Sequence, residues 1–342
     1  MKFLRFLLFP IAVIYHLITG IRNLLFEKKV FKSTKFSLPV IVVGNLSVGG
    51  TGKTPQIEYL TRLLKEKAKI AILSRGYSRK TKGYILANDT HTSLDIGDEP
   101  LQYFRKFKNI TVAVCEKRVE GIKTLLKTKS PEVILLDDAY QHRKVEGSYY
   151  ILLTKFNDLF TDDYLLPTGN LRESRAGATR ADVIVVTKCP KELSSIKQKE
   201  IIQQLQIYDK PVFFSFISYA SKISGHYNYT INELKNKHLL LVTGIANPAP
   251  LLEFLTSNDI AYTHLNFPDH YQFSNKDIHD IQVALEKIDA EHKLILTTEK
   301  DYTRLQNKVN QLSYLEIETK FLNNEEVKFN NLIMNSIAKN AI

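Results

Sequence analysis

The chain has 342 residues, 44% hydrophobic and 24% charged, which is long enough for about two globular domains with substantial cores. Its two cysteines, Cys115 and Cys189, form no CxxC pair, which argues against a disulfide framework or a zinc site and fits a reducing compartment. The net charge is +11, but seven basic residues against one acidic residue fall within the first 35 positions. Charge concentrated at one end favours contact with an anionic membrane surface over nucleic-acid binding.

The amino-terminal segment from Phe3 to Phe26 is strongly apolar, yet only 16 residues separate Arg5 from Arg22. A membrane span needs about 20 residues. On a helical wheel the small and polar residues form one narrow stripe, made of Arg5, Ala12, His16, Thr19 and Asn23. Residues 1–30 are therefore predicted to form a helix that lies in the membrane interface. A short true span and a secretory signal peptide are the alternatives, and the second lacks a small-x-small cleavage site.

A glycine-rich turn, Val48–Thr54, follows the apolar run Pro39–Gly44 and precedes the helical pattern Gln56–Leu64. Strand, glycine-rich turn and helix in this order are typical of a phosphate-binding P-loop. Lys53 would reach the outer phosphates of a nucleoside triphosphate, and the Thr54 hydroxyl would hold Mg²⁺. The predicted nucleotide-binding residues are Ser47, Val48, Gly49, Gly50, Thr51, Gly52, Lys53 and Thr54. Ser47 stands where the strict pattern has glycine.

The rest of the chain alternates short β-type apolar runs with helical stretches, which predicts an α/β fold with an open, mostly parallel sheet. The predicted strands begin at Val40, Ile70, Thr111, Val133, Tyr149, Val183, Val212, Leu239, Tyr262 and Leu294. We expect a P-loop domain at 31–222, joined by a C-terminal helix at 322–342, and a smaller α/β domain at 223–321. The run Tyr314–Thr319 is expected to pair with Val212–Tyr219 as a two-stranded β connector.

An apolar strand pattern ends in two acids at Asp137 and Asp138, which beside a P-loop is the Walker B arrangement. Such a carboxylate holds Mg²⁺ directly or through water. Adjacent residues of an extended chain point to opposite sides, so one of the two acids is expected to be the direct ligand. The sequence leaves open which one.

Two further polar segments could carry chemistry. Asp98 could orient or deprotonate an attacking hydroxyl, but its spacing alone favours a helix N-cap ahead of Pro100. His270 could be its partner, although a lone histidine is more often structural. The arginines of the loop 169–175 could clamp phosphate oxygens or be solvated. Pro190 replaces the aspartate that a guanine-reading motif requires, which argues against guanine specificity.

Taken together, these segments resemble the tetraacyldisaccharide 4′-kinase family, the lipid A 4′-kinases of Gram-negative bacteria. The matching pieces, in order, are Val43–Asn45 with Val48–Pro55, Ser74–Tyr77, Gly97–Pro100, Asp137–His142, Leu166–Gly169 with Leu171–Glu173, Gly244–Pro248, Phe267–Tyr271 and Thr298–Asp301. The departures are mild: Ala139-Tyr140 stands where the family often has Gly-Phe, and Asn170 where proline is common.

The resemblance implies a P-loop kinase that uses ATP and Mg²⁺ to phosphorylate the 4′-hydroxyl of an acylated glucosamine disaccharide 1-phosphate. It implies an Asp–His catalytic dyad at Asp98 and His270, with Lys53 at the phosphates. Further candidates for contacts to substrate or phosphate are Arg75, Gln141, Arg172 and Glu173. The expected location is the cytoplasmic face of the bacterial inner membrane, peripheral or monotopic, without nucleic acid or an obligate protein partner.

Two other classes of protein share a P-loop. One is an NTPase that couples hydrolysis to metal delivery or protein assembly, which usually carries cysteine or histidine clusters that are absent from this sequence. The other is a membrane-docked nucleotide switch, which would need an intact base-reading motif. Turnover without a lipid acceptor would mark the first, and a nucleotide-dependent partner the second.

Overall fold

The computed structural model describes residues 5–340. The helices are α1 (Phe9–Glu27), α2 (Lys53–Leu64), α3 (Ser93–Ile96), α4 (Asp98–Lys106), α5 (Arg118–Thr128), α6 (Ser195–Leu205), α7 (Ala249–Ser257), α8 (Asn275–Glu286), α9 (Glu299–Leu305) and α10 (Glu326–Asn340). The strands are β1 (Thr34–Lys35), β2 (Val40–Asn45), β3 (Ile70–Ser74), β4 (Ile85–Leu86), β5 (Thr111–Val114), β6 (Val133–Asp137), β7 (Val145–Glu146), β8 (Tyr149–Lys155), β9 (Val183–Thr187), β10 (Val212–Tyr219), β11 (Ser224–Gly225), β12 (His238–Thr243), β13 (Ala261–Asn266), β14 (Lys293–Thr298), β15 (Leu312–Leu315) and β16 (Ile317–Phe321).

The larger sheet has the order β16-β10-β9-β8-β2-β6-β3-β5-β4 among the described residues. All its pairs are parallel except the two at its edges, β10 with β16 and β4 with β5. Strand β2 is buried along its whole length because helices cover both faces of the sheet. Ile41 and Val43 pack into the core on one side, and Val40 and Val42 into the core on the other. The predicted mostly parallel α/β architecture is confirmed.

A second sheet has the order β11-β15-β14-β12-β13, again parallel except at the β11 edge. Its strands pack between α7 on one face and α8 on the other, with separate apolar cores. The domain boundaries expected from the sequence stay a prediction. The chain passes from the larger sheet to the smaller one after β10, and it returns before β16.

The run Tyr314–Thr319, expected as one strand, is two. Tyr314 and Leu315 pair with β14 in the smaller sheet, whereas residues 317–321 pair with β10 in the larger one. The single residue Glu316 separates them. The split follows from packing, because Leu315 is buried in the core of the smaller unit and Phe321 in the core of the larger. The predicted pairing with β10 is present, as an antiparallel ribbon that extends the large sheet.

Helix α1 lies on the protein surface with its small and polar side against the protein. Ala12 and Phe26 are buried, and Tyr15, Arg22 and Asn23 donate hydrogen bonds to residues of the larger unit. Its other side is apolar and exposed, as predicted from the stripe on the helical wheel. The exposed apolar residues of this region are Phe6, Leu7, Leu8, Phe9, Ile11, Val13, Ile14, Leu17, Ile18, Ile21 and Leu24. Residues 1–4 of the predicted segment lie outside the described residues.

The C-terminal helix α10 belongs to the core of the larger unit. Phe329 is fully buried, with its ring centroid 4.5 Å from Phe321 and 5.4 Å from Phe213. Ile333 lies beside them in the same core. The last helix therefore closes the sheet face that carries the P-loop helix, α2.

We expect Phe329→Ala to lower the free energy of unfolding of the larger unit by about 3–5 kcal/mol, because it removes a buried aromatic side chain and leaves a cavity. Denaturant titration followed by circular dichroism measures the change. Val327→Ala, on the exposed side of the same helix, is the matched control and should change stability by no more than about 0.5 kcal/mol. Equal effects of the two variants would contradict the packing of α10.

Candidate active site

The P-loop lies at the carboxyl end of β2, near the middle of the larger sheet between β6 and β8. Gly49 and Gly52 have φ angles of +99° and +87°, which L side chains rarely adopt. Gly52 caps α2, and Lys53 is the first residue of that helix. The loop and the amino end of α2 thus form the concave, donor-rich surface that binds a phosphate.

The first half of the loop is held by the backbone of residues 170–172. The Val48 amide donates to the Asn170 carbonyl at 2.8 Å, and the Arg172 amide donates to the Leu46 carbonyl at 2.7 Å. Ser47 is buried and forms a bridge with Leu171. The backbone at position 47 therefore helps to anchor the loop, a role that does not require glycine.

Three lysine ammonium groups approach the loop. Lys53 Nζ lies 3.4 Å from Asn45 Oδ1 and 3.7 Å from Asp138 Oδ1. A Cβ placed on Gly49 would lie 3.8 Å from Lys155 Nζ, and one on Gly50 would lie 3.8 Å from Lys188 Nζ. Partial desolvation, followed by the charges of Lys155 and Lys53, lowers the pKa of Lys188.

Lys155 and Lys188 are not among the site residues predicted from the sequence. A signal exists in hindsight: Lys155 ends β8 and Lys188 follows β9, the two strands next to β2 on one side. Carboxyl ends of parallel strands meet at one edge of the sheet, which is where ligands bind in such folds. Both ammonium groups are therefore candidates for contacts to phosphate.

The two acids at the end of β6 make different contacts. Asp137 is buried and accepts a hydrogen bond from Ser74 Oγ at 3.2 Å. Burial, then the charges of Asp138 and Glu99, raises the pKa of Asp137 to about 7. Asp138 has a φ of +47°, and its Oδ1 accepts from Arg172 Nη1 at 2.9 Å.

Burial acts to raise the pKa of Asp138, but the charges of Lys53 and Arg172 outweigh it and lower that pKa. The negative charge of Asp138 is thus balanced by two cationic side chains, whereas the strongest charges acting on Asp137 are those of the carboxylates of Asp138 and Glu99. Within residues 5–340, no cluster of three or more His, Cys, Asp or Glu side chains could hold a metal alone. A magnesium ion here would also need hydroxyl, phosphate or water oxygens, which are the ligands that it prefers.

Asp98 and His270 are in contact although 172 residues separate them. His270 Nδ1 lies 2.7 Å from Asp98 Oδ2. Asp98 is the first residue of α4 and is only 5% exposed, while His270 lies in the loop after β13 with a φ of +59°. The contact therefore joins the larger unit to the smaller one.

The expectation that Asp98 caps its helix is wrong. Gly97 occupies the N-cap position with a φ of 90°, and no side chain caps α4. The Asp98 carboxylate instead accepts from His270 and from Arg304. Burial acts to raise its pKa, but these two partners outweigh that effect and hold the pKa of Asp98 at about 2.

Glu99 connects this pair to the magnesium candidates. It is close enough to Asp137 to raise the pKa of that carboxyl, and its Oε1 lies 3.8 Å from Lys300 Nζ. Lys300 Nζ in turn lies 3.0 Å from His270 Nε2. The Asp98–His270 pair and the end of β6 therefore border one cleft.

Three of the four remaining candidates lie together beneath α1. Gln141 Nε2 donates to the Asn45 carbonyl at 2.8 Å and to Glu173 Oε1 at 3.1 Å. Glu173 is buried and also accepts from Arg180 Nη2 at 2.7 Å and Asn23 Nδ2 at 2.9 Å. Because the carboxylate of Glu173 already accepts these hydrogen bonds, it is better suited to hold the neighbouring side chains in place than to bind a substrate. Arg172, which pairs with Asp138, is half-buried.

Arg75 follows β3 and is exposed, outside this hydrogen-bonded group. Its charge nevertheless acts on His142, beside Gln141. Burial, then the charges of Arg118 and Arg22, with smaller effects from Lys144 and Arg75, lowers the pKa of His142 to about 4. This side of the site therefore carries a positive potential suited to an anionic ligand.

The chain is similar to known proteins over almost its whole length. A family model described as tetraacyldisaccharide-1-P 4′-kinase matches residues 4–338. A tetraacyldisaccharide 4′-kinase from Flavobacterium psychrophilum is 52% identical over 345 residues, which cover 98% of each chain. Another, from Bacteroides thetaiotaomicron, is 44% identical and aligned over 97% of this chain and 93% of its own.

The fold is also similar to a solved structure. The crystal structure of the "apo" form of LpxK from Aquifex aeolicus in complex with ATP superimposes with a TM-score of 0.79. The two sequences are 31% identical, and the match covers 98% of this chain and 99% of the other. Both the larger and the smaller sheet are thus part of the shared architecture.

We expect Lys188→Ala to weaken binding of a nucleoside triphosphate by about tenfold or more, since a charge-assisted hydrogen bond to phosphate is worth about 1.5–3 kcal/mol. Isothermal titration calorimetry measures the dissociation constant. Lys191→Ala, three residues further along and exposed, is the matched control and should leave the constant unchanged. Equal affinity of both variants would show that Lys188 does not contact the phosphates.

Proposed function

The chain belongs to the tetraacyldisaccharide-1-P 4′-kinase family, and we propose that its reaction takes place between the P-loop and the Asp98–His270 pair. Members of this family are kinases of lipid A biosynthesis. They transfer the γ-phosphate of ATP to the 4′-hydroxyl of tetraacyldisaccharide 1-phosphate. A hydrolytic NTPase and a nucleotide switch, the alternatives drawn from the P-loop, are therefore not the activity of this chain.

The observation that supports this site most strongly is the 2.7 Å contact between His270 Nδ1 and Asp98 Oδ2. A kinase has to orient the attacking hydroxyl and take up its proton. Asp98 has a low pKa and stays ionised, so the proton on the shared hydrogen bond belongs to His270 Nδ1. In the neutral ring His270 Nε2 then carries a lone pair, and the 4′-hydroxyl proton moves to the dyad through that atom.

The P-loop amides and Lys53 bind the β- and γ-phosphates, with Lys155 and Lys188 as additional cations. Their charges stabilise the negative charge that develops on the transferred phosphoryl group. Mg²⁺ fits the hydroxyl and carboxylate oxygens at this edge of the sheet, and we propose Thr54 and Asp137 as its holders, with Asp138 next to them. Asp137 is favoured because it lacks the direct Arg172 partner of Asp138. A bound magnesium ion would neutralise phosphate charge.

The acceptor enters from the side of α1. Arg75, Arg172 and Gln141 border that side, and the positive potential that depresses the pKa of His142 suits a sugar phosphate. Glu173 acts as a support that holds Gln141 and Arg180 in place. An acylated disaccharide 1-phosphate fits this side of the protein, because its anionic head group suits the positive potential and its acyl chains suit the apolar surface of α1.

We further propose that α1 lies in the interface of the inner membrane on its cytoplasmic face. The helix is long and apolar enough to cross a membrane, with a mean hydropathy of 1.4, and this alone is weak evidence. One of its sides, however, is bound to the protein through Tyr15, Arg22 and Asn23. A spanning helix would have to give up those bonds, whereas a helix in the interface keeps them and buries its apolar side in lipid.

The first test is transfer of labelled phosphate from ATP to tetraacyldisaccharide 1-phosphate in mixed micelles. We expect Lys53→Ala and His270→Ala each to reduce the rate of transfer by about 10²-fold or more, because each removes charge stabilisation or proton transfer. His279→Ala, an exposed histidine of α8, is the matched control and should keep the normal rate.

Brisk ATP hydrolysis with no phosphate on the lipid would refute the proposed reaction. A normal rate for His270→Ala, with transfer still present, would refute the dyad alone. Thermal unfolding of each variant checks that a loss of rate does not come from a loss of folded protein.

The second test concerns α1. We expect Ile14→Asp with Ile18→Asp to reduce binding to anionic phospholipid vesicles by about 10²-fold, since two charges replace apolar side chains in the lipid-facing side. Vesicle flotation measures the bound fraction. Ile207→Asp, at an exposed isoleucine far along the chain, serves as control. Undiminished flotation of the double variant would reveal a different attachment surface.

A further inference from the structure

We propose that helix α9 sets the geometry of the Asp98–His270 pair, with Arg304 positioning Asp98 and Lys300 positioning His270. Both are positioning residues, four residues apart and hence on the same side of the helix. The proposal rests on the function proposed above and adds two residues to its site. Lys300 belongs to the segment Thr298–Asp301, which resembled the family but had no role assigned, and Arg304 lies three residues beyond that segment.

Arg304 binds Asp98 through two guanidinium nitrogens. Nε donates to Asp98 Oδ1 at 2.8 Å, and Nη2 donates to Asp98 Oδ2. Both side chains are almost fully buried, at 2% and 6% exposed. A planar guanidinium that binds both oxygens fixes the plane of the carboxylate as well as its position. Lysine could supply the charge but not this orientation.

Arg304 is itself held by the smaller unit. Its Nη1 lies 3.3 Å from Asp301 Oδ1, and Asp301 accepts hydrogen bonds from the Gly244 amide at 2.8 Å and from Thr298 Oγ1 at 2.7 Å. Asp301 is completely buried. The guanidinium is therefore held in a hydrogen-bonded network. Through this network, the position of the smaller sheet determines the orientation of the Asp98 carboxylate.

The orientation decides which tautomer His270 adopts. The same Oδ2 that binds Arg304 lies 2.7 Å from His270 Nδ1. The carboxylate is ionised and lies nearer to Nδ1 than Arg304 Nη2 does, at 2.7 Å against 3.3 Å, so Nδ1 carries the hydrogen and donates it to Asp98. In the neutral ring Nε2 then keeps its lone pair. A histidine held in that tautomer accepts a proton at Nε2 only.

Lys300 occupies the other side of the ring. Its Nζ lies 3.0 Å from His270 Nε2, and an ammonium can only donate, so this contact selects the same tautomer. Nζ also lies 3.1 Å from Asp269 Oδ1 and 3.8 Å from Glu99 Oε1. These carboxylates keep the ammonium in the cleft when an acceptor hydroxyl takes its place at Nε2.

The test compares Arg304→Gln, Arg304→Lys and Lys300→Met in the transfer assay with full-length protein. We expect Arg304→Gln to lower kcat by about 10²-fold, while the KM for the lipid and the dissociation constant of ATP stay within about threefold, because a misplaced proton acceptor affects the reaction step. Arg304→Lys should recover part of kcat. Lys300→Met should lower kcat by about tenfold.

The second readout is the tautomer of His270 in the wild type and in Lys300→Met, taken from the side-chain ¹⁵N spectrum and assigned with His270→Gln. We expect an Nδ1–H signal in both proteins and a shifted Nε2 signal in Lys300→Met, because the ammonium no longer donates to the lone pair of that nitrogen. A purely structural role of Lys300 would leave the spectrum unchanged, which would overturn its part of the proposal.

Unchanged kcat for folded Arg304→Gln overturns the role of Arg304, as does a loss that falls on ATP binding alone. If Arg304→Gln does not fold, kcat of the folded Arg304→Lys decides, and a value equal to the wild type overturns the proposal. If the wild type transfers phosphate and His270→Ala transfers it more slowly, the proposed function stands, whatever the results for the Arg304 and Lys300 variants. Absence of transfer by the wild type refutes that function instead.

Discussion

The backbone of residues 170–172 binds three parts of the molecule that would otherwise be independent. Its carbonyl and amide groups hold the first half of the P-loop at Val48 and Leu46. The Arg172 carbonyl accepts a hydrogen bond from Tyr15 of α1, and the Arg172 side chain pairs with Asp138. Because one short segment makes all these bonds, the phosphate site and the apolar outer side of α1 are held at a fixed distance and orientation relative to each other.

The second constraint is the junction between the two sheets, where one buried lysine lies between two buried glutamates. Lys106 Nζ lies 2.8 Å from Glu58 of the P-loop helix and 2.7 Å from Glu299, the first residue of α9. Burial, then the charge of Glu58, raises the pKa of Glu299 to about 8. Desolvation makes such groups costly unless each has a partner. The partners come from different sheets, so the buried charges select one arrangement of the two units and place α9 next to the cleft.

Much of the fold and part of the site could be predicted because they depend on local sequence. The order strand, glycine turn, helix identifies the P-loop, and an apolar strand ending in Asp137 identifies its neighbour. The partners of Asp98 could not be found in this way, since Arg304 lies 206 residues away and no local pattern links them. For the same reason, spacing around Pro100 suggested an N-cap for Asp98, although Gly97 takes that position.

The division of Tyr314–Thr319 into two strands was equally hidden, because both halves have the alternation of a single strand. The strand is interrupted at Glu316 because Leu315 is buried in the core of the smaller unit and Phe321 in the core of the larger one. Lys155 and Lys188 are ordinary charged residues in a sequence. Their importance comes from the strand order, which brings the ends of β8 and β9 beside β2.

The three lysines around the P-loop have a consequence for the stability of the whole protein. Desolvation first, and then the like charges of Lys155 and Lys53, lowers the pKa of Lys188, because like charges held close together repel each other. An anion that binds only the folded chain relieves this repulsion and shifts the folding equilibrium by mass action, by about 2.7 kcal/mol at a concentration 100 times its dissociation constant. Under the phosphate binding proposed above, nucleotide would therefore protect the folded chain against unfolding, and more strongly as its concentration rises.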